Sequence, residues 1–187
     1  MIATRHFKRL WFSGVMLALL AGCASHAPLP DLATLAPEPK RVERLIIEAP
    51  DQSHTLLGVL QHDHRSLRMA LLSPQGQRLL TLVQDSDGAR FLSGAAFEPP
   101  FTAHWLASRL AWSLWPVAEL QQNFKRSPWS VRQDASGYSV YHRDALVANI
   151  RLSSTCTLID DIQTGYRLYI IPIALANQPR ERLCPAI

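Results

Sequence analysis

The stretch Leu67-Arg68-Met69-Ala70-Leu71-Leu72-Ser73-Pro74-Gln75-Gly76-Gln77-Arg78-Leu79-Leu80-Thr81-Leu82-Val83 decides the fold class. Two apolar runs flank Ser-Pro-Gln-Gly, the turn chemistry of a β-hairpin. In both runs residues of either parity are largely apolar, whereas a sheet with one wet face alternates apolar and polar side chains. Both faces of this hairpin must therefore be covered by protein, or one must line a dry cavity. A curved sheet with helices at its mouth meets that demand. So does a sheet whose inner face the helices fill.

Working outward, residues 44–49, 55–62, 66–72, 78–84 and 89–92 read as strands. Pro50-Asp51, Asp63-His64, the Ser-Pro-Gln-Gly turn and Asp85-Ser86-Asp87-Gly88 separate them. Phe97-Glu98-Pro99-Pro100 then breaks the pattern. Thr102 can cap a helix running to about residue 113, and Pro116 suits the first turn of a second helix to about 123. Residues 129–133, 138–142, 145–152, 155–160 and 166–173 read as further strands. The expected class is mainly β with a helical insert (α+β). On the first helix Ala103, Leu106, Ala107, Leu110 and Leu114 form a sheet-facing stripe, with Trp105 and Trp112 a heptad apart beside it. A face this wide serves as core or as a lid.

The N-terminus is an address. Arg5, Lys8 and Arg9 precede an apolar run over residues 10–20 that is too short to span a bilayer. The run ends in Leu20-Ala21-Gly22-Cys23, the pattern of a bacterial lipobox. The expectation is a signal peptide over 1–22 and an acylated Cys23, each buried CH2 contributing about 0.8 kcal/mol to anchoring; the alternative is an ordinary cleaved signal with a chance cysteine. Ala24 is not the aspartate of inner-membrane retention, so similarity to Gram-negative lipoproteins implies a protein anchored in the outer membrane and facing the periplasm. Residues 23–41, with Pro28, Pro30, Pro37 and Pro39, are expected to form an extended tether, and 42–187 a single domain. Loss of the three basic signal residues lowers the formal charge from +4 to +1. No clustered basic face remains, so nucleic acid is not an expected partner. In an oxidising compartment Cys156 and Cys184 read either as a disulfide or as two buried thiols.

Chemistry-bearing motifs are sparse. His62-Asp63-His64 places two imidazoles on one strand face without a third ligand at suitable spacing. Asp160-Asp161 could mimic a carboxylate pair, but neighbours on a strand point to opposite faces. No Gly-x-Ser-x-Gly elbow, HExxH or phosphate-cradling glycine loop occurs. The expectation is a non-enzyme without cofactor or metal.

The lipobox, the Pro-rich segment and the meander through Leu71-Leu72-Ser73-Pro74-Gln75-Gly76, followed by a helical segment and more strands, resemble the outer-membrane lipoprotein receptor LolB and its periplasmic relative LolA. Leu114-Trp115-Pro116 and Gly165-Tyr166-Arg167-Leu168 are similar to motifs of a family of small lipoproteins encoded beside aryl polyene biosynthesis genes. The resemblance implies a strongly curved, unclosed half-barrel with a helical lid and a cavity for acyl chains such as palmitate. Glutamine at position 75 departs from the exposed leucine of the receptor, because a buried unpaired amide is costly. That departure argues against lipoprotein insertion. The first reading is a carrier of a lipid or lipophile, such as an aryl polyene lipid, working with a periplasmic carrier protein. Its cavity would be lined by Leu57, Val59, Met69, Leu71, Leu80, Leu82, Ile150 and Leu168, with Trp105, Leu106 and Trp112 at the lid. The second is an assembly or scaffold lipoprotein with a solid core and an outer patch for a protein partner.

Overall fold

The computed structural model describes residues 26–96 and 98–184; the signal segment, the lipobox and Cys23 lie outside them. Five strands precede the helices: β1 (Glu38–Ala49), β2 (Gln52–His62), β3 (Leu67–Leu72), β4 (Arg78–Asp85) and β5 (Gly88–Phe91). Five follow: β6 (Trp129–Asp134), β7 (Gly137–His142), β8 (Ala145–Leu152), β9 (Thr157–Asp161) and β10 (Tyr166–Pro172). Among the described residues they form one antiparallel ten-stranded sheet in the order β5-β4-β3-β2-β1-β10-β9-β8-β7-β6. The hairpin of the opening motif closes as its turn chemistry demands. Gly76, at φ +84°, donates its N–H to the Ser73 carbonyl at 2.9 Å.

All but one of the strand pairs join neighbours in sequence. The exception, β1 with β10, sets Leu45 opposite Ile170 and Ile47 opposite Leu168. It places the first and last strands at the centre and leaves β5 and β6 as the two edges. The chain between those edges must therefore cross the sheet, a width of about 43 Å when flat, from the ~4.8 Å strand spacing. This crossing carries α1 (Ala103–Leu114) and α2 (Val117–Phe124). Thr102 caps α1 by accepting the Trp105 N–H at 3.1 Å, and Pro116 is the N-cap of α2. Leu106, Ala107, Leu110 and Ala111 bury the underside of α1 against the sheet.

The sheet is neither closed nor strongly curled, which corrects the strongly curved half-barrel expected from the resemblance. At the centre of the sheet, apolar side chains on both faces are covered. One face carries Leu45, Leu60, Leu67, Met69, Leu71, Leu80 and Leu82 under the helices. On the other, Leu158, Tyr169 and Ile171 pack beneath the C-terminal segment, a single turn at Ile173–Leu175 followed by α3 (Arg180–Leu183). The Cys156–Cys184 disulfide fastens that segment. Arg44 donates to the carbonyls of Ala176 and Gln178, and Arg180 pairs with Glu48.

The stretch expected to be an extended tether also packs on the domain. Ala27, Leu32 and Leu35 join the main core. Asp31 caps a turn at Leu32–Thr34 by accepting the Ala33 N–H at 2.9 Å. Few apolar residues suffice here, because the partner surface on the helices is already formed. β1 likewise begins at Glu38, earlier than its apolar pattern, since backbone pairing such as Arg41 with Leu60 does not require apolar side chains.

Candidate functional site

Strand parity sorts the expected cavity residues. Met69, Leu71, Leu80, Leu82, Leu106, Trp112, Ile150 and Leu168 are each 2% exposed or less. Side chains this inaccessible touch protein atoms and not open space, so they form solid core. Leu106, Leu110 and Trp112 of the helix occupy the volume assigned to a guest. Leu57 and Val59 are half-buried on the opposite face, and Leu56 and Leu60 take the inward positions. Gly58 shows how tight the floor is: a Cβ there would lie 2.6 Å from Met69 Cε and 2.8 Å from Leu45 Cδ1.

Open space begins beyond the N-terminal start of α1. A groove of about 450 Å³ lies at the β1–β2 hairpin end of the same face, within the range of roughly 300–1,000 Å³ typical of small-molecule pockets. Ile47 and Ala49 of β1, Leu56 of β2, Leu79 of β4 and Tyr166 of β10 line its floor and walls. Pro100 and Phe101 form a rim, and Gln52 and His54 supply polar atoms at the hairpin end. The register explains the grouping, since Ile47 pairs with His54 and Ala49 with Gln52. Phe101 stacks on Trp105 with ring centres 5.0 Å apart, and Trp105 meets the Tyr166 edge at 5.7 Å. Phe91 approaches Phe101 at 6.4 Å. This aromatic chain fixes the lid-side wall.

A buried ion pair pins the lid beside the groove. Asp161 Oδ2 accepts from Arg109 Nε at 2.8 Å, from Arg109 Nη2, and from Trp105 Nε1 at 3.1 Å. Its Oδ1 accepts the Thr164 N–H at 3.0 Å. Arg109 lies between the Trp105 and Trp112 rings, 4.8 and 4.4 Å from their centres, and donates to Ser108 Oγ. Burial lowers the Arg109 pKa from its ordinary value, opposed by the Asp161 charge. Farther along α1, the buried Tyr138 hydroxyl donates to the Trp112 carbonyl. Burial raises its pKa and keeps the phenol a donor. These groups are saturated and shielded, so they clasp the helix and are not arranged for acid–base work.

The remaining sequence candidates lie apart. His62 is buried beside Glu38, its Nε2 3.5 Å from Glu38 Oε2, while His64 is exposed. Asp63 accepts the N–H groups of Arg65 and Ser66, which hold its carboxyl below the usual range. Among the described residues no three His, Cys, Asp or Glu side chains converge to hold a metal. Asp160 points outward to Arg167, at 3.1 Å, as Asp161 points inward. Gln75 is exposed at its hairpin tip, whereas Trp112 and Trp115 are buried. The groove residues escaped the sequence reading because Leu56-Leu57 offers two parities. The inward charges Arg109 and Asp161 were the missed signal of the clasp.

Residues 40–174, from β1 through β10, match the model of a family described as Protein of unknown function (DUF3261), and the chain belongs to that family. A comparison with curated proteins found no relative.

Proposed function

We propose that this member of the family is an envelope lipoprotein, acylated at Cys23 in the outer membrane and facing the periplasm, that binds a lipid or lipophilic molecule in the groove beside α1. The observation that carries the reading is the groove itself: it is lined mainly by Ile47, Ala49, Leu56, Leu79, Pro100 and Phe101, with polar side-chain atoms from Gln52, His54 and the Tyr166 hydroxyl. Such a site suits an acyl or polyene chain whose polar end remains near the β1–β2 hairpin. The sheet and the start of α1 together cradle the guest at one end. No side chain in the groove is arranged for covalent chemistry, so the role is binding or hand-over to a periplasmic carrier protein. Glutamine at the exposed position 75 disfavours membrane insertion of cargo.

The second reading is a scaffold lipoprotein. The solid packing of Met69, Leu71, Leu82 and Ile150 favours it. Against it, the exposed Leu152 and Ile162 lie at opposite ends of the β8–β9 pair and do not form one patch. Native mass spectrometry of the chain from Ala24 onward, made in a bacterial periplasm, separates the two. Co-purified lipid, or saturable uptake of a fluorescent fatty acid that Ala49→Phe abolishes, supports the groove. A clean apo mass with no uptake leaves the scaffold.

A further inference from the structure

The N-terminal segment sets where the groove mouth faces. It runs alongside α1 in the same direction. At the C-terminal end of the helix, Trp115 Nε1 donates to Thr34 Oγ1 at 3.0 Å. Near the start of the strap, Asn123 Nδ2 of α2 donates to the Pro28 carbonyl at 3.0 Å. At the N-terminal end, His104 Nε2 donates to the Ala27 carbonyl at 2.8 Å, and the His26 ring lies 4.7 Å from that of His104. Followed backward, the strap leads to the start of α1, and Pro100 and Phe101, immediately before that start, form the groove rim.

Three peptide units separate His26 from Cys23 and span at most about 11 Å. A domain held by a clamped strap and so short a link cannot turn freely. The start of α1 and the rim before it therefore stay close to Cys23. We propose that the groove mouth faces the leaflet that holds the Cys23 acyl chains, and that the groove takes its occupant, a phospholipid or other membrane amphiphile, directly from that leaflet. The inference rests on the reading of Cys23 as the anchor and of the groove as a lipid site. It adds the route of entry and makes the strap an orienting device. Gln52 and His54, both exposed, line the groove at the hairpin end, away from that rim.

The test uses the full lipidated chain in vesicles of phosphatidylethanolamine and phosphatidylglycerol. A photoreactive phenylalanine analogue replaces Phe101 or, as a control, Ser136 in the β6–β7 turn at the opposite edge of the sheet. Lipid adducts at position 101 should exceed those at 136 by at least tenfold. A twenty-residue Gly-Ser insert between Ser25 and His26 should cut the position-101 adducts several-fold, because a long flexible link dilutes the mouth away from the surface. Equal labelling at the two positions, or labelling at 101 that ignores the insert, overturns the inference. A photoreactive fatty acid added from solution distinguishes the two levels of failure. If it labels the groove while vesicle lipid does not, the leaflet route falls and the binding reading stands; if neither labels, both fall.

Discussion

At the β6–β8 end of the helix-covered face, Trp112 and Leu110 of α1 meet Tyr138, Trp129 and Ile150 and leave no accessible space. At the β1–β2 hairpin end, the same face presents Ile47, Ala49 and Leu56 to a groove. The strands carry large apolar side chains at both ends. What differs is cover: α1 lies over one end and starts short of the other. Apolar sheet surface is therefore necessary for a lipophile site but does not locate it. The groove lies beyond the start of α1, where the small or polar groups Ala49, Gln52 and His54 replace bulky ones.

Breaking the clasp that separates the two ends should have the largest effect. Asp161→Ala leaves Arg109 charged and buried without its partner, a cost of about 3–5 kcal/mol, readable as a large drop in the urea midpoint. Leu110→Ala probes the packed end by opening a cavity under α1, at about 2–5 kcal/mol, and should leave fatty-acid uptake largely intact in the protein that remains folded. Loss of the Cys156–Cys184 bond, by Cys184→Ser with Cys156→Ser, should cost about 2–4 kcal/mol. Reductant should destabilise the parent by the same amount and the double variant not at all, since the effect belongs to the outer face. Ala49→Phe inverts the pattern: fluorescent fatty-acid affinity should fall at least tenfold, about 1.4 kcal/mol, with the melting temperature nearly unchanged. A stability loss without a binding loss there would remove the functional distinction between the ends.

The smallest effect concerns Glu43, buried on the helix-covered face beside Arg41. Burial raises its carboxyl pKa, against the lowering by Arg41. Because the folded state holds the proton more tightly, this group adds stability that is fully present below the unfolded pKa and is lost as pH rises through the folded value. Glu43→Gln should flatten that portion of the stability–pH curve. Denaturant titrations of both proteins between pH 4 and 7, about the range bracketing a raised carboxyl, read the difference.

Much of the fold was legible because the signals were local. Turn residues such as Ser73-Pro74-Gln75-Gly76 and the Thr102 cap act within a few residues of themselves, and the structure puts the hairpin and α1 there. The site was less legible because it depends on parity and reach. Leu56-Leu57 is apolar on both sides, and only pairing with Leu45 turns Leu56 inward. The Pro-rich segment carries too little apolar surface to predict its own burial, yet Leu32 and Leu35 find a formed surface waiting. Arg109 and Asp161 are 52 positions apart, and no short-range pattern couples them.

By itself, the sequence determined an antiparallel β meander interrupted by helices, because alternation, turn chemistry and capping are properties of neighbouring residues. The tertiary structure alone decided that the sheet stays open, that its expected hollow is filled by α1, and that free space survives at the β1–β2 end. The physical reason is the β1–β10 pairing, a contact across the whole domain: it sends the β5–β6 connection over one face and so fixes which apolar residues are covered and which are left bare.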